Sequence, residues 1–506
     1  MEHTEENYIA MYDTRGIQEY IFRTNYAKEI VGASCLIDSI IIKGLNKYVR
    51  ILVKEEEREQ YIVDWKNDNP LEFLNNKNIV MQVMFIGGGN AYVLFRDKTT
   101  CQKVNRFLGK YVLEKTYSLN VAVAVLEKKE SFADDYKNIN DEMERIKKKM
   151  SNVMPVGALP FMERDSITGF PIAVMKIEHD KENYYCTEAD YKRKAFPKNE
   201  SEQIFDNMVT LKGDDSNLAI CHIDGNSMRM QIKKKIEHVE LYSDAIKIMR
   251  ALSLEIETAF RQTFDKMTEY MQQLTPKIKE NTEHKLYREL IVAGDDITFV
   301  CNAKLARSAV ENFLENIMEQ GYSACAGVAY FNSHFPFSDA YKVAEACCDS
   351  AKKCAKKKEH LGVNGKVGCY MDFQICTNIR AANLKAYRDK HYLVDGQSII
   401  ARPYYVPCKI EQEQLNIKNE EHSIVRLKEW LKKFDDDKFI ARNKAKKLRN
   451  IIPEGLSGIE SYLLFLKSRG IELDNPKEQY RYWYDALEIL DIDLVLREGD
   501  TNEDKN

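Results

Sequence analysis

Apolar residues recur in two rhythms along this chain, and the two rhythms follow one another in the same order twice. Residues 7–22, NYIAMYDTRGIQEYIF, open as a dense apolar run that predicts a strand ending near Asp13. A helical region follows over roughly 26–58, then NIVMQVMFIGGGNAYVLFRD (78–97) reads as a hairpin turning at Gly87, Gly88, Gly89 and Asn90. CQKVNRFLGKYVLEK has helical spacing, and LNVAVAVLE reads as a strand. The second series begins with SNLAICHIDGNSM (216–228), a strand ending near Asp224. A long helix over roughly 236–275 places Ile246, Met249, Leu252 and Ile256 at three- and four-residue steps. The hairpin RELIVAGDDITFVCN, a helix over 304–319 and the strand SACAGVAYF complete it.

Both series read β-α-β-β-α-β, the ferredoxin-like order. Asp13 and Asp224 stand 211 residues apart, and Gly87 and Ala293 stand 206 apart, so the elements recur at nearly one offset. The expected fold class is α+β, with two ferredoxin-like (βαββαβ) domains and added helical regions. The expected boundaries are 1–130 for the first domain and 131–212 for a helical and loop region. The second domain spans 213–375, and a C-terminal helical domain spans 376–506. In that last segment Trp430, Trp483 and the stretch RNKAKKLR fit an ordinary amphipathic bundle, with an RNA- or protein-docking face as the other reading.

Composition removes several classes. The formal net charge is −4, so any nucleotide site is local and not the work of a global basic field. No segment reaches the roughly eighteen apolar residues of a membrane span. The acidic start MEHTEENYIAMYD has no secretory pattern. Twelve scattered cysteines contain no C-x-x-C, which excludes zinc-ribbon spacing and predicts buried free thiols in a reducing cytoplasm. Neither a G-x-x-x-x-G-K-[ST] phosphate loop nor a G-x-S-x-G elbow is present.

The chemistry concentrates in LIVAGDDITFV (290–300), where Asp295 and Asp296 interrupt an apolar run. Burying such charges costs several kcal/mol unless they are paired or bind metal, on the order of a few per ion. The residues leave two readings, a solvated turn or a metal site. LKGDDSN (211–217) shows how little the tripeptide means alone: Gly213, Asp214 and Asp215 have polar neighbours and read as a solvated turn. The copy at 294–296 has apolar strands on both sides and a partner in Asp224, since the first and third strands of this fold are neighbours. Gly294 suits a tight turn and a close phosphate, and Gly225, Asn226 and Ser227 lead into a helix whose N–H groups could cradle phosphate. The first hairpin has Gly89 and Asn90 at the equivalent places, and neither neutralises a cation.

At these residues the sequence resembles the large palm-polymerase subunit of type III CRISPR effector complexes. That family has two ferredoxin-like palms, one with a G-G-D-D hairpin, and shares the palm with GGDEF nucleotide cyclases. GIQEYIF with EIVGASCLIDSI resembles the opening of its first palm, CHIDGNSM its metal-binding strand, and VAGDDITFV its G-G-D-D hairpin. SACAGVAYFNSHFPFSDAYKVAEACCDSAKK resembles the strand, loop and helix that close its second palm. Together these cover roughly residues 5–130 and 213–375.

The resemblance implies a nucleotidyltransferase that joins NTPs, expected to be ATP, into cyclic oligoadenylate messengers of antiviral defence. Asp224, Asp295 and Asp296 are then the expected ligands of a two-metal Mg2+ or Mn2+ site. Lys352 is expected to contact phosphate, and Gly87, Gly88 and Gly89 to help hold the other nucleotide. A cytoplasmic location and an RNA or protein partner through the helical regions are expected. Ala293 replaces the first glycine of the motif. The HD nuclease domain and cysteine zinc motif of many members are missing, and His179 and Asp180 are assigned no nuclease role, so a shortened, stand-alone relative is expected. Two other readings stand beside it: an RNA- or nucleotide-sensing binding module, and a GGDEF-like dinucleotide cyclase.

Overall fold

The computed structural model describes residues 7–496 apart from 88–89, 151–158, 179–180, 199–203, 211–215, 280–283, 363–364, 377–382, 409–421 and 474–475. Gly88, Gly89, the His179 and Asp180 pair and the turn at Gly213, Asp214 and Asp215 lie outside the described residues. The chain forms two compact units. The first comprises Met1–Ile204, Ser227–Phe260 and Leu290–Asp296, and the second Phe205–Asn226, Arg261–Glu289 and Ile297–Asn506.

The first sheet contains β1 (Tyr8–Arg15), β2 (Tyr61–Ile62), β3 (Met81–Gly87), β4 (Asn90–Phe95) and β5 (Asn120–Glu127), in the order β2-β3-β4-β1-β5. β1 runs antiparallel to both β4 and β5. Apart from the edge strand β2, this is the ferredoxin-like order that the repeat predicts. β1 is apolar at consecutive positions because both of its faces are covered. Ile9 and Met11 join a cluster with Phe132, Ile139 and Met143 of the Phe132–Lys149 helix and Tyr242, Ile246 and Met249 of the long Tyr242–Ile278 helix. Tyr12 points to the other face, where its hydroxyl meets Asn105 of the Lys98–Thr116 helix. Polar bonds then fix the long helix: Arg250 donates to the Met84 carbonyl at 2.6 Å and pairs with Asp68, and Tyr242 donates to buried Asp135.

Where the sequence suggests loops, the structure has a ribbon of β6 (Ile172–Glu178) and β7 (Lys181–Cys186), followed by the Thr187–Ala195 helix. That helix packs on the Ala27–Ile37 helix at Gly32, where a Cβ would lie 1.8 Å from the Lys192 carbonyl oxygen. The ribbon escapes a pattern reading because its outer face also carries apolar residues, Met175, Ile177 and Tyr184, all exposed.

The second sheet contains β8 (Asn217–Gly225), β9 (Tyr287–Ala293), β10 (Asp296–Asn302), β11 (Ala324–Asn332) and β12 (Cys369–Cys376). A small ribbon of β13 (Leu393–Val394) and β14 (Gln397–Ser398) stands apart, and β15 (Tyr404–Val406) completes the sheet. Its order is β15-β12-β11-β8-β10-β9, so β9-β10-β8-β11 repeats β3-β4-β1-β5. β12 is parallel to β11, and β15 is antiparallel to β12. The Phe337–Ala355 helix lies so close to β11 that a Cβ on Gly327 would sit 1.9 Å from the Ala344 carbonyl oxygen.

Beyond the sheet, ion pairs hold the C-terminal segment. Arg402, fully buried, meets Asp485 at 2.9 Å and Glu488 at 2.6 Å, while Arg388 meets Asp372 at 2.8 Å. Trp483 is fully buried edge-on to Trp430, with ring centroids 5.4 Å apart, so these two tryptophans are core residues. Among the described residues no helix is long and apolar enough to cross a membrane.

Candidate active site

β8 brings Asp224 to the C-terminal end of a strand, and β10 begins at Asp296, two residues after Gly294. β8 and β10 are neighbours in the sheet. Asp224, Asp295 and Asp296 are each partly exposed, unlike the strand residues Ile223 and Ile297, which are fully buried. Gly294 has φ +64 with nothing within 4 Å of a Cβ position, so the left-handed turn, and no crowding, calls for glycine there.

Each end of this arrangement already has a partner. The Asp224 carboxylate forms an ion pair with Lys352, on the last turn of the Phe337–Ala355 helix. Burial works to lower the Lys352 pKa, but the charge and hydrogen bond of Asp224 outweigh it and raise the ammonium above its ordinary value. Asp296 Oδ2 accepts a 2.9 Å hydrogen bond from Gln18 Nε2. Behind Asp224, His222 is 4% exposed, within 3.1 Å of the Thr298 hydroxyl at Nδ1, and burial pushes its pKa down.

The loop after β8 is held from within. Gly225 pairs with Ala324 in the sheet. The Asn226 N–H donates to the Ser323 carbonyl at 2.8 Å, and its side-chain amide donates to the Gly368 carbonyl at 3.2 Å. That backbone N–H is therefore committed to the fold, so the expected phosphate cradle loses one of its donors. Ser227 takes φ 58 and starts the Met228–Ile236 helix without a side-chain cap. In the first sheet, Gly87 faces the long helix, where a Cβ would meet the Ser253 hydroxyl at 2.8 Å, which is a packing reason for glycine.

Among the described residues no group of three or more His, Cys, Asp or Glu side chains is gathered to hold a metal ion. Asp224, Asp295 and Asp296 nonetheless each offer carboxylate oxygens, the hard ligands that Mg2+ and Mn2+ take. A cation at Asp224 competes with the Lys352 ammonium for the charge of the carboxylate.

Two features escaped the sequence reading. One is Gln18. The other is that the first sheet repeats the Asp–Lys pair: Asp13 meets Lys147 on the Phe132–Lys149 helix, and Asp13 sits opposite Asn90 in the register of β1 and β4. Lys147 and Lys352 are 205 residues apart, close to the offset of the repeat, which is the signal that could have found the pair.

No family model and no curated protein matches the chain. Solved structures do. A Csm1–Csm4 cassette in complex with cA4 is 12% identical with a TM-score of 0.45, the match covering 97% of this chain and 70% of that one. The apo Csm1–Csm4 cassette is 12% identical with a TM-score of 0.47, over 98% of this chain and 70% of that one. Csm1 in T. onnurineus is 13% identical with a TM-score of 0.48, over 97% and 70%.

Proposed function

We propose that the protein is a metal-dependent nucleotidyltransferase that joins NTPs, with ATP as the expected substrate, into a cyclic oligonucleotide. The observation that carries this reading is the unequal repeat. Two sheets share one strand order, and only the second has acidic residues at its hairpin. In the first sheet Asp13 faces Asn90.

Asp224, Asp295 and Asp296 are the proposed ligands of Mg2+ or Mn2+, which when bound neutralises polyphosphate charge. Displaced from Asp224, the Lys352 ammonium becomes available to the substrate's phosphates. Gly294 keeps the hairpin tip clear of side chain. The 3′-hydroxyl of one nucleotide attacks the α-phosphorus of the next, losing its proton to water. A phosphodiester forms and pyrophosphate leaves. Action in the cytoplasm, in antiviral defence, alone or with an RNA or protein partner, belongs to the same proposal.

One observation favours the binding-module reading: Asp224 is already neutralised by Lys352. The test is to incubate the protein with each NTP and Mg2+ or Mn2+, with and without RNA, and to analyse products by mass spectrometry. Product that disappears in the Asp295→Ala, Asp296→Ala double variant supports the proposal. Absence of product in every condition, or its persistence in that variant, overturns it.

A further inference from the structure

We infer that Gln18 is a positioning residue for Asp296, resting on the proposed function above. The contact joins residues 278 apart in sequence, Gln18 Nε2 donating to Asp296 Oδ2 at 2.9 Å. Its placement is built into the backbone. Gly16, with φ +69, turns the chain out of β1, and the Tyr20 N–H closes on the Gly16 carbonyl at 2.8 Å to start the Ile17–Ile21 helix. Gln18 sits in the middle of this short turn. The other strand of the hairpin is tethered as well, by a hydrogen bond from the Ser34 hydroxyl to the Leu290 carbonyl.

The type of donor matters. An amide is neutral, so it orients the carboxylate while leaving its negative charge intact. Lys352 does the opposite to Asp224. A carboxylate offers about four lone-pair sites, so one amide bond leaves room for a cation. Carboxylate ligands in metal sites are themselves hydrogen-bonded, and losing such a partner costs about 10–100-fold in metal affinity or activity. Gln18 has the chemistry of such a partner, supplied by the first repeat to the acidic hairpin of the second.

The test titrates the full-length protein with Mn2+ alone, by calorimetry. Gln18→Leu removes the donor at similar volume and is expected to weaken Mn2+ binding about 10-fold or more. Gln18→Lys is expected to weaken it further, by neutralising the carboxylate, whereas Gln18→His restores a neutral donor and recovers most of the affinity. Ser34→Ala loosens the same hairpin without touching a carboxylate and is expected to leave Mn2+ affinity unchanged. Wild-type affinity in Gln18→Leu, or an equal loss in Ser34→Ala, overturns the inference while the proposed function stands. A wild-type titration indistinguishable from that of the Asp295→Ala, Asp296→Ala variant overturns the proposed function, and the inference with it.

Discussion

Gly327 offers the sharpest quantitative test of how the second sheet is assembled. A methyl group there would lie 1.9 Å from the Ala344 carbonyl oxygen, 2.3 Å from the Cys348 nitrogen and 2.9 Å from the Cys347 Cβ. The first two are helix backbone, which no rotamer change moves aside. Ordinary contact is near 3.4 Å, so the Phe337–Ala355 helix has to back away from β11 by about 1.5 Å. Retreat is resisted by the helix's own buried residues, including Val343, Ala344, Cys347 and Ala351, all fully buried. Overpacking costs about 1–3 kcal/mol where side chains give way, so a backbone clash belongs at or above the top of that range. Gly327→Ala is therefore expected to lower the urea midpoint by the equivalent of at least about 3 kcal/mol. Gly109→Ala is the control, because nothing lies within 4 Å of its Cβ position in a helix. It is expected to be neutral or to stabilise by up to about 1 kcal/mol. The same displacement moves Lys352, and a misplacement of about 1 Å can cost 10²-fold in rate. An unchanged urea midpoint in Gly327→Ala refutes the close approach of helix and strand.

Other expectations follow from the ion pairs and thiols. Lys352→Met frees Asp224 from its counter-ion and is expected to tighten Mn2+ binding while lowering product formation; a fall in Mn2+ affinity by calorimetry refutes the competition. Arg402→Met strands buried Asp485 and is expected to cost about 3–5 kcal/mol in urea unfolding. Adding Asp485→Leu is expected to cost less than the sum of the two single changes; strict additivity refutes the coupling. Cys35 is exposed and the other cysteines are buried, with burial raising the Cys101, Cys325 and Cys354 thiols to about 11. One fast-labelling thiol is expected in the native protein at pH 8, lost in Cys35→Ser; a second fast thiol refutes the burial pattern.

The four-strand cores were legible because β1 and β8 are dense apolar runs at strand length and the hairpins between them carry turn residues. β12 was not legible, and the reason is visible in its sequence, CYMDFQIC. Asp372 and Gln374 break the apolar run, yet both are fully buried. Arg388 satisfies Asp372, and Gln374 donates to the Tyr392 hydroxyl at 2.9 Å, partners that only the folded chain supplies. β2 and β15, of two and three residues, exist through the strands beside them and have no period to read. At the candidate site, the strand end at Asp224 and the left-handed turn at Gly294 could be read locally. Gln18 could not, because nothing in a sequence marks a contact made across 278 residues.

The twin ion pairs bear on how this chain came to be. Asp13 with Lys147 and Asp224 with Lys352 occupy the same places in the two halves, although their hairpins differ in acidity. Their matching placement is what a duplication that included the helix after the fourth strand would leave. Each half can gain or shed hairpin carboxylates without leaving its strand-end aspartate uncompensated, because the lysine that balances it comes from a helix and not from the hairpin.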